Sequence, residues 1–193
     1  MSQTTKKALE ASLKKLLLKK PINKITINDI AEDCGVNRMT FYYHFTDIYD
    51  LARWACLEDC AQALANNKTY DTWQQGFLNI FNAVLENKPF IKNVYHALDR
   101  EQIENYLNTQ THELLMGVIE EQATGMFISE KDKEFIADFF KYAFNGIMLK
   151  WIADDMKEDP KYIVDRVSTL IHGDISYALN AFRKDKSLSN DKK

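Results

Sequence analysis

The sequence predicts an all-α protein, and three observations support that prediction. The 193 residues include only six glycines and three prolines, whereas sheet-rich folds need more turn-forming residues. Apolar residues recur every three to four positions along most of the chain, which is the spacing of one helix face. No segment shows a convincing alternation of apolar and polar residues, the pattern typical of a strand. We therefore expect about nine helices, which 193 residues can arrange as one large domain or as a small domain joined to a medium-sized one.

The first predicted helix is amphipathic and rich in lysine. Leucines from Leu9 to Leu17 form an apolar stripe, and the helix stops before Pro21. Residues 1–26 contain seven lysines and one acidic residue, Glu10, which gives this segment a net charge of +6. The whole chain has a net charge of −3, so a basic end is attached to an acidic remainder. A phosphate-binding module would show this distribution, and so would a lysine-rich helix face exposed to water.

The next helices follow at short intervals. Thr26 is the expected N-cap of the second helix, over about residues 27–34, and Asp29 stands in the capping-box position. Gly35 ends that helix because glycine tolerates the left-handed backbone of a tight turn. A third short helix should end at about His44, and a fourth should begin about two residues later.

A helix, a short turn and a second helix make up the helix-turn-helix arrangement of DNA-binding proteins. An apolar group of side chains can pack the two helices together: Ile27, Ile30, Ala31, Val36, Phe41 and Phe45. Polar or flat side chains then remain on the start and free face of the third helix: Asn37, Arg38, Met39, Thr40, Tyr42, Tyr43 and His44. Three consecutive side chains on a helix, such as those of residues 42–44, cannot all face one core.

A short helix with such a face fits the major groove of DNA. An arginine such as Arg38 can pair with guanine, and small or aromatic side chains can touch the methyl group of thymine. Tyrosine hydroxyls and His44 can contact phosphates and fix the register of the helix on the duplex. We expect Arg38 and Thr40 to contact DNA, whereas Met39 is equally well explained as an exposed side chain.

The segment from residue 8 to residue 51 resembles the DNA-binding domain of the TetR family of regulators. The resemblance rests on the string from Thr40 to Phe45, followed by Asp50 and Leu51. It implies a homodimer that binds double-stranded operator DNA, and it implies DNA contacts by Thr26, Arg38, Met39, Tyr42, Tyr43 and His44. The family often has a lysine at the start of the fourth helix, where this chain has Ile48. That phosphate contact is therefore either missing or supplied by a lysine of the first helix.

The resemblance also implies how the rest of the chain is organised. We expect the DNA-binding domain over residues 1–48, a ligand-binding and dimerisation domain over residues 49–185, and a polar tail over residues 186–193. Family members dimerise through their last two long helices, predicted here at about 130–157 and 160–183. The apolar residues expected at this interface are Phe140, Phe144, Ile147, Trp151, Ile163, Leu170 and Ile171. The same residues are also suited to the core of a single chain.

Two further strings resemble a C-terminal subgroup that includes regulators of dihydroxyacetone kinase operons. They are the segment from Asn145 to Ile152 and the helix start at Lys88, Pro89 and Phe90. This looser resemblance implies that the fold can activate as well as repress, and that its effector can be another protein.

A ligand pocket is expected among the middle helices. Its candidate residues are aromatic with a few polar groups, which suits a small organic ligand as well as an ordinary core: Trp73, Phe77, Tyr95, His96, Tyr106, His112 and Phe139. The histidines have no spacing that predicts a metal site. Cys34, Cys56 and Cys60 are interpreted as small apolar residues, so neither a metal nor another cofactor is expected.

The sequence contains no motif that predicts an enzyme. It lacks a nucleophile elbow, a glycine-rich phosphate loop and a zinc signature. It also has no apolar run of the ~18 residues that a membrane span needs and no apolar signal sequence, so we expect a cytoplasmic protein with no membrane partner. We expect a repressor whose operator affinity changes with a ligand of unknown identity. The alternative is an activator, or a regulator controlled by a partner protein that has little operator binding of its own.

Overall fold

The structure is a computed structural model that describes residues 2–64, 69–97, 100–171 and 173–184, without the side chains of Ser2, Gln102 and Tyr106. The regular elements of these residues are helices. In chain order they are α1 (Ser2–Leu17), a 3-10 turn (Ile22–Lys24), α2 (Ile27–Asp33), α3 (Arg38–His44), α4 (Ile48–Leu64), α5 (Trp73–Glu86), α6 (Lys88–Ala97), α7 (Arg100–Gln122), α8 (Glu130–Ala153), α9 (Pro160–Ile171) and α10 (Asp174–Phe182). The prediction of an all-α fold is confirmed. None of the described helices is long and apolar enough to cross a membrane.

The chain forms two compact units, which we call the head and the body. The head comprises Met1–Ala63 and Ala83–Ile103, and the body comprises Leu64–Asn82 and Glu104–Lys193. This division differs from the predicted boundary at residue 48, because apolar side chains of α4 and α6 complete the core of the head. The predicted polar tail at residues 186–193 lies outside the described residues.

The core of the head is built from every helix of that unit. The leucine stripe of α1 meets buried residues of α2, α3, α4 and α6: Leu9, Leu13, Leu17, Ile22, Ile25, Ile30, Phe41, Phe45, Leu51, Ala52, Ala55, Phe90 and Val94. Ser12 is buried where α1 packs on α2, and its hydroxyl donates a hydrogen bond to the carbonyl of Ile30 at 3.2 Å. The apolar residues predicted to join α2 and α3 all belong to this core or pack against it.

The turn between α2 and α3 follows the prediction. Gly35 has a φ of 69°, which a residue with a side chain rarely adopts. The amide of Val36 then donates to the carbonyl of Ala31 at 2.9 Å and closes the end of α2. The turn fixes the direction in which α3 leaves α2.

The core of the body is an aromatic cluster. The ring of Phe144 lies 4.6 Å from that of Phe77 and 5.7 Å from that of Trp73, measured between centroids. Phe81 extends the cluster to Trp151 at 4.8 Å. These rings join α5 to α8, and they account for why both helices carry so many aromatic residues.

The predicted last helix at 160–183 is wrong, because two helices occupy this segment. Gly173 has a φ of 81°, which no α-helix contains, so α9 ends at Ile171 and α10 starts at Asp174. The apolar spacing continues through the break, and a reading based on periodicity alone joins the two helices. The predicted helix at 130–157 also ends earlier, at Ala153.

Candidate nucleic-acid interface

The third helix, α3, is held by a cap at its start and by two phenylalanines on its inner face. The side chain of Asn37 accepts a hydrogen bond from the amide of Met39 at 2.8 Å, which is the N-cap geometry. Phe41 is fully buried, Phe45 is nearly so, and their rings lie 5.9 Å apart. These two side chains determine which face of α3 points away from the core.

The opposite face of α3 exposes large side chains. Met39 is 71% exposed and Tyr43 is 83% exposed, and Tyr42 is exposed to a lesser degree. Thr40 and His44 are half-buried at the edges of this face. Large apolar and aromatic groups rarely remain so exposed without a binding role. Both tyrosines therefore lie outside the core. This agrees with the expectation that residues 42–44 cannot all face one core.

Arg38 and Tyr42 form a pair one helical turn apart. The guanidinium of Arg38 donates a hydrogen bond to the hydroxyl of Tyr42 at 3.0 Å and lies 5.4 Å from the centre of its ring. The arginine is thus held along the exposed face of α3 while its remaining N–H groups face solvent. An arginine presented in this way can donate two parallel hydrogen bonds to a guanine edge.

Thr26 has a structural role in the head. Its hydroxyl accepts from the amide of Asp29 at 3.1 Å, and the carboxylate of Asp29 accepts from the amide of Thr26 at 2.7 Å. This capping box was expected from the sequence and is confirmed. A hydrogen bond from Lys20 and two from Thr26 lower the pKa of Asp29 to about 2. The hydroxyl of Thr26 is thus already engaged within the head.

Ile48 cannot supply the phosphate contact that the family often makes at this position. It is the first residue of α4 and packs partly buried against the core of the head. The carboxylate of Asp47 caps α4 by accepting from the amide of Asp50 at 2.7 Å. The start of α4 is therefore apolar and acidic rather than basic.

Most of the lysines near the N-terminus are paired with carboxylates of the head. Lys14 donates to both carboxylate oxygens of Asp59 and to Glu10, with distances of 2.7–2.9 Å. Lys7 bridges Glu10 and Glu58 at 3.1 and 3.6 Å. Lys15 pairs with Asp33, and Lys20 pairs with Asp29. The net charge of +6 counted over residues 1–26 is thus largely compensated once the head is folded.

The residues predicted to line a ligand pocket belong to different helices, and each is described within its own unit. Trp73 and Phe77 belong to the aromatic core of the body, whereas Tyr95 and the exposed His96 lie on α6 in the head. The side chain of Tyr106 lies outside the described residues.

Phe139, which also belongs to the predicted pocket set, is 62% exposed on α8. His112 lies between two carboxylates of α8, with its Nε2 2.9 Å from Glu134 and its Nδ1 3.2 Å from Asp138. Among the described residues, no group of three potential ligands is arranged for a metal ion.

The residues predicted for a dimer interface divide into core and surface. Phe140, Phe144, Trp151 and Ile163 are buried within their own chain, so they offer no surface to a partner, and Ile147 and Ile171 are half-buried. Leu170 is 75% exposed. Helix α8 is apolar on two sides, one buried within the chain and one exposed, and apolar spacing alone does not distinguish the two.

The exposed side of α8 carries residues that the sequence did not assign to an interface. Phe135, Phe139 and Tyr142 are spaced at one and two helical turns and are all largely exposed. Tyr177 on α10 is also exposed, and the ring of Phe135 lies 6.4 Å from that of Phe182 at the end of α10. We call the five exposed residues Phe135, Phe139, Tyr142, Leu170 and Tyr177 the apolar face of the body, a name that states their exposure and not a contact among them. Periodicity alone gave no signal for it, because buried and exposed aromatics alternate along the same helix.

A short helix with a buried phenylalanine face, an exposed arginine and exposed tyrosines, set after a glycine turn, defines a helix-turn-helix DNA-binding protein. Residues 10–53 match the model described as bacterial regulatory proteins of the tetR family, and residues 71–173 match a transcriptional regulator C-terminal region. The second match alone covers more than half of the chain. The chain belongs to the TetR family: it is a DNA-binding transcriptional regulator and not an enzyme.

A curated relative is similar in sequence to this chain, and two solved structures share its fold. The chain is 26% identical over 137 residues to the HTH-type dhaKLM operon transcriptional activator DhaS of Lactococcus lactis, covering 70% of this chain and 72% of the relative. A solved structure of a dihydroxyacetone kinase operon activator DhaS has a TM-score of 0.70 and 22% identity, covering 93% of this chain and 98% of the other. NalD, the secondary repressor of the MexAB-OprM multidrug efflux pump in Pseudomonas aeruginosa, has a TM-score of 0.60 and 14% identity, covering 89% and 96%.

Proposed function

We propose that this chain works as a cytoplasmic homodimer that binds a palindromic operator, with α3 of each protomer in the major groove. The exposed face of α3 is the observation that carries the proposal. Arg38, Tyr42 and Tyr43 are presented there on a helix whose other face is fixed by Phe41. A two-fold operator with half-sites ~34–36 Å apart suits a dimer that carries two such helices.

The residues have separate roles in this proposal. Arg38 reads a guanine edge, and the hydroxyl of Tyr42 positions its guanidinium. Met39 and Tyr43 are exposed enough to contact base methyl groups or sugars, and Thr40 and His44 flank them. Asn37 keeps its amide N–H groups free for a phosphate while its oxygen caps α3. Thr26 serves chiefly as the cap of α2.

The apolar face of the body supports a second copy of the chain as partner. Its five large side chains lie on α8, α9 and α10, and each is at least half exposed to solvent in a single chain. Apolar patches of this kind are typical of protein interfaces rather than of free surfaces. Gly146 lies at the spacing that continues the Phe135, Phe139 and Tyr142 stripe, and outside its own helix backbone no described heavy atom lies within 4 Å of where its Cβ would be. Two α8 helices can therefore approach closely at that point.

The effector and the direction of regulation are proposed from the relatives. We infer activation rather than the repression expected from the sequence, because the relative that resembles both parts of the chain is named an activator. The body is the part of the chain that would receive the effector, either a small molecule or a partner protein. Dihydroxyacetone is the first small molecule to test, since that relative is named for a dihydroxyacetone kinase operon.

The decisive experiment is selection of duplexes from a random pool by the purified protein at two salt concentrations. We expect a palindromic motif that survives the higher salt, because base contacts depend less on salt than phosphate contacts do. Arg38→Ala should reduce affinity for that motif by about 10- to 100-fold, which corresponds to ~1–3 kcal/mol for a bidentate contact. Lys131→Ala, an exposed change in the body, is the matched control. Retention without any enriched motif would contradict sequence-specific binding.

Effector binding is tested by linkage. If a ligand changes operator affinity by some factor, the operator must change ligand affinity by the same factor. Titration of dihydroxyacetone with and without the selected operator measures both sides of that cycle. An equal ligand affinity in the two titrations would contradict control by that molecule, and a reporter placed downstream of the operator distinguishes activation from repression.

A further inference from the structure

The seven lysines of residues 1–26 fall into two groups once their partners are known. Lys7, Lys14, Lys15 and Lys20 each pair with a carboxylate of the head within 4 Å. The remaining three lie outside the ion pairs formed by the described residues: Lys6, Lys19 and Lys24. Only an uncompensated cation gains fully from a phosphate, because a paired lysine must first give up its carboxylate.

Lys6 differs from the other two because the fold holds its ammonium at a defined place. Its Nζ lies 5.6 Å from the centre of the Phe45 ring and 5.5 Å from that of Trp54. Aromatic faces attract a cation through their quadrupole, but they do not neutralise its charge as a carboxylate does. Lys6 is therefore positioned without a carboxylate partner among the described residues, whereas Lys19 and Lys24 are exposed side chains for which the described residues provide no ring contact.

The two rings place Lys6 beside the end of α3. Phe45 is the residue that terminates α3, and its ring lies 6.4 Å from that of His44. The ring of His44 in turn lies 5.0 Å from that of Tyr43, the most exposed side chain of the helix. The ammonium of Lys6 thus lies at one end of a row of rings whose other end is the exposed face of α3.

We propose that Lys6 binds a backbone phosphate of DNA at the C-terminal end of α3, while the four paired lysines make no phosphate contact. This proposal rests on the proposed function, since it requires α3 to lie on DNA. It assigns the partner as a nucleic-acid phosphate on the strand beside Tyr43 and His44. The number of lysines in the first helix therefore overstates the number of its phosphate contacts.

The test is the salt dependence of binding to a mixed-sequence duplex of about 30 base pairs, which reports phosphate contacts without an operator. We would compare wild type, Lys6→Gln and Lys15→Gln between about 50 and about 200 mM KCl. The slope of log affinity against log salt is negative, and Lys6→Gln should make it less steep by about 0.9 for each head bound. Lys15→Gln, which removes an exposed lysine paired with Asp33, should leave the slope unchanged. Lys6→Arg should retain the wild-type slope.

Each other outcome contradicts a particular step. A Lys6→Gln protein with the wild-type slope would overturn the phosphate contact, including the case in which its affinity falls because packing on Phe45 and Trp54 is lost. Equal slope changes in Lys6→Gln and Lys15→Gln would overturn the division into free and paired lysines. Failure of the folded wild-type protein to bind any duplex would instead overturn the proposed function, so the two failures are distinguishable.

Discussion

The head and the body differ in how their exposed surfaces are formed. In the head, lysines of α1 pair with carboxylates of other helices, and the exposed face of α3 follows a glycine turn. In the body, α8 is apolar on two sides, and one side packs on Trp73 and Phe77 while the other remains exposed. The comparison shows that a surface formed by short local motifs can be predicted from sequence. A surface that depends on how a long helix is rotated about its own axis cannot be predicted in this way.

The largest expected effect is in the core of the body. Phe144→Ala should lower the free energy of unfolding by about 3–5 kcal/mol, because it removes ring contacts to Trp73 and Phe77 and leaves a cavity. Phe127→Ala, at an exposed phenylalanine of the same unit, should cost less than about 1 kcal/mol. Urea unfolding of both variants measures the difference. Equal losses would show that α8 faces the core differently from the arrangement described.

The next effect is in the head, where a partly buried ion pair joins two helices in addition to the apolar core. Lys14 joins α1 to Asp59 of α4 and lies 5.4 Å from the ring of Phe90 on α6. Burial lowers the pKa of Lys14, but hydrogen bonds to Asp59 and Glu10 outweigh burial and raise it above its ordinary value.

Lys14→Met should therefore lower the free energy of unfolding by about 2 kcal/mol, less than the ~3–5 kcal/mol for breaking a fully buried pair, because the Lys14 side chain remains 24% exposed. Lys15→Met breaks an exposed pair and should cost about 0.5 kcal/mol or less. Thermal unfolding of the two variants side by side checks this. If Lys15→Met lost more unfolding free energy than Lys14→Met, the partly buried pairs of Lys14 would contribute no more stability than the exposed pair of Lys15 with Asp33.

The apolar face of the body should control association more than folding. Phe139→Lys places a charge in the proposed contact of both protomers and should weaken dimerisation by at least about tenfold, or ~1.4 kcal/mol. Leu18→Lys changes an equally exposed apolar residue of the head and should leave dimerisation unchanged. Sedimentation equilibrium over a range of protein concentrations measures both. A dimer that is unaffected by Phe139→Lys would place the interface elsewhere.

The smallest expected effect is a pH dependence in the head. Lys20 and Thr26 lower the pKa of Asp29 to about 2, below its value of ~3.9 in an unfolded chain. Its ionised form therefore stabilises the fold above pH ~4, and this contribution is lost as the pH falls toward about 2. Asp29→Asn should lack the stabilisation that the ionised carboxylate provides. The difference in unfolding free energy between wild type and variant should therefore shrink as the pH falls from ~4 toward about 2. Parallel curves for the two proteins would contradict the assignment.

Much of the head was predictable because its signals are short in sequence. Thr26 and Asp29 mark a capping box three residues apart, and Gly35 marks a left-handed turn. Phe41 marks the buried face of α3, and Phe45 marks its C-cap one turn later. Each pattern has its physical cause within a few residues of itself. The predictions of the α2 and α3 boundaries succeeded for that reason.

The body was less predictable because its structure depends on contacts between helices that are far apart in sequence. Asn145 is buried on α8; its side chain accepts a hydrogen bond from Thr111 at 2.8 Å and donates one to Asn108 at 2.9 Å, both on α7. No pattern of neighbouring residues predicts this network. The same packing decides that Phe140 is buried and Phe139 is exposed. The break at Gly173 was missed because apolar spacing continues across it.

The pairing of four N-terminal lysines has a consequence for how such a protein searches a chromosome. A genome offers ~10⁶–10⁹ competing sites of random sequence, and a regulator is distributed among them according to its sequence-independent affinity. A lysine that is paired with a carboxylate within the head is not available to bind phosphates, which are the same in DNA of every sequence. Internal pairing thus lowers the fraction of molecules sequestered on random DNA, and a small number of copies per cell can then occupy a single operator.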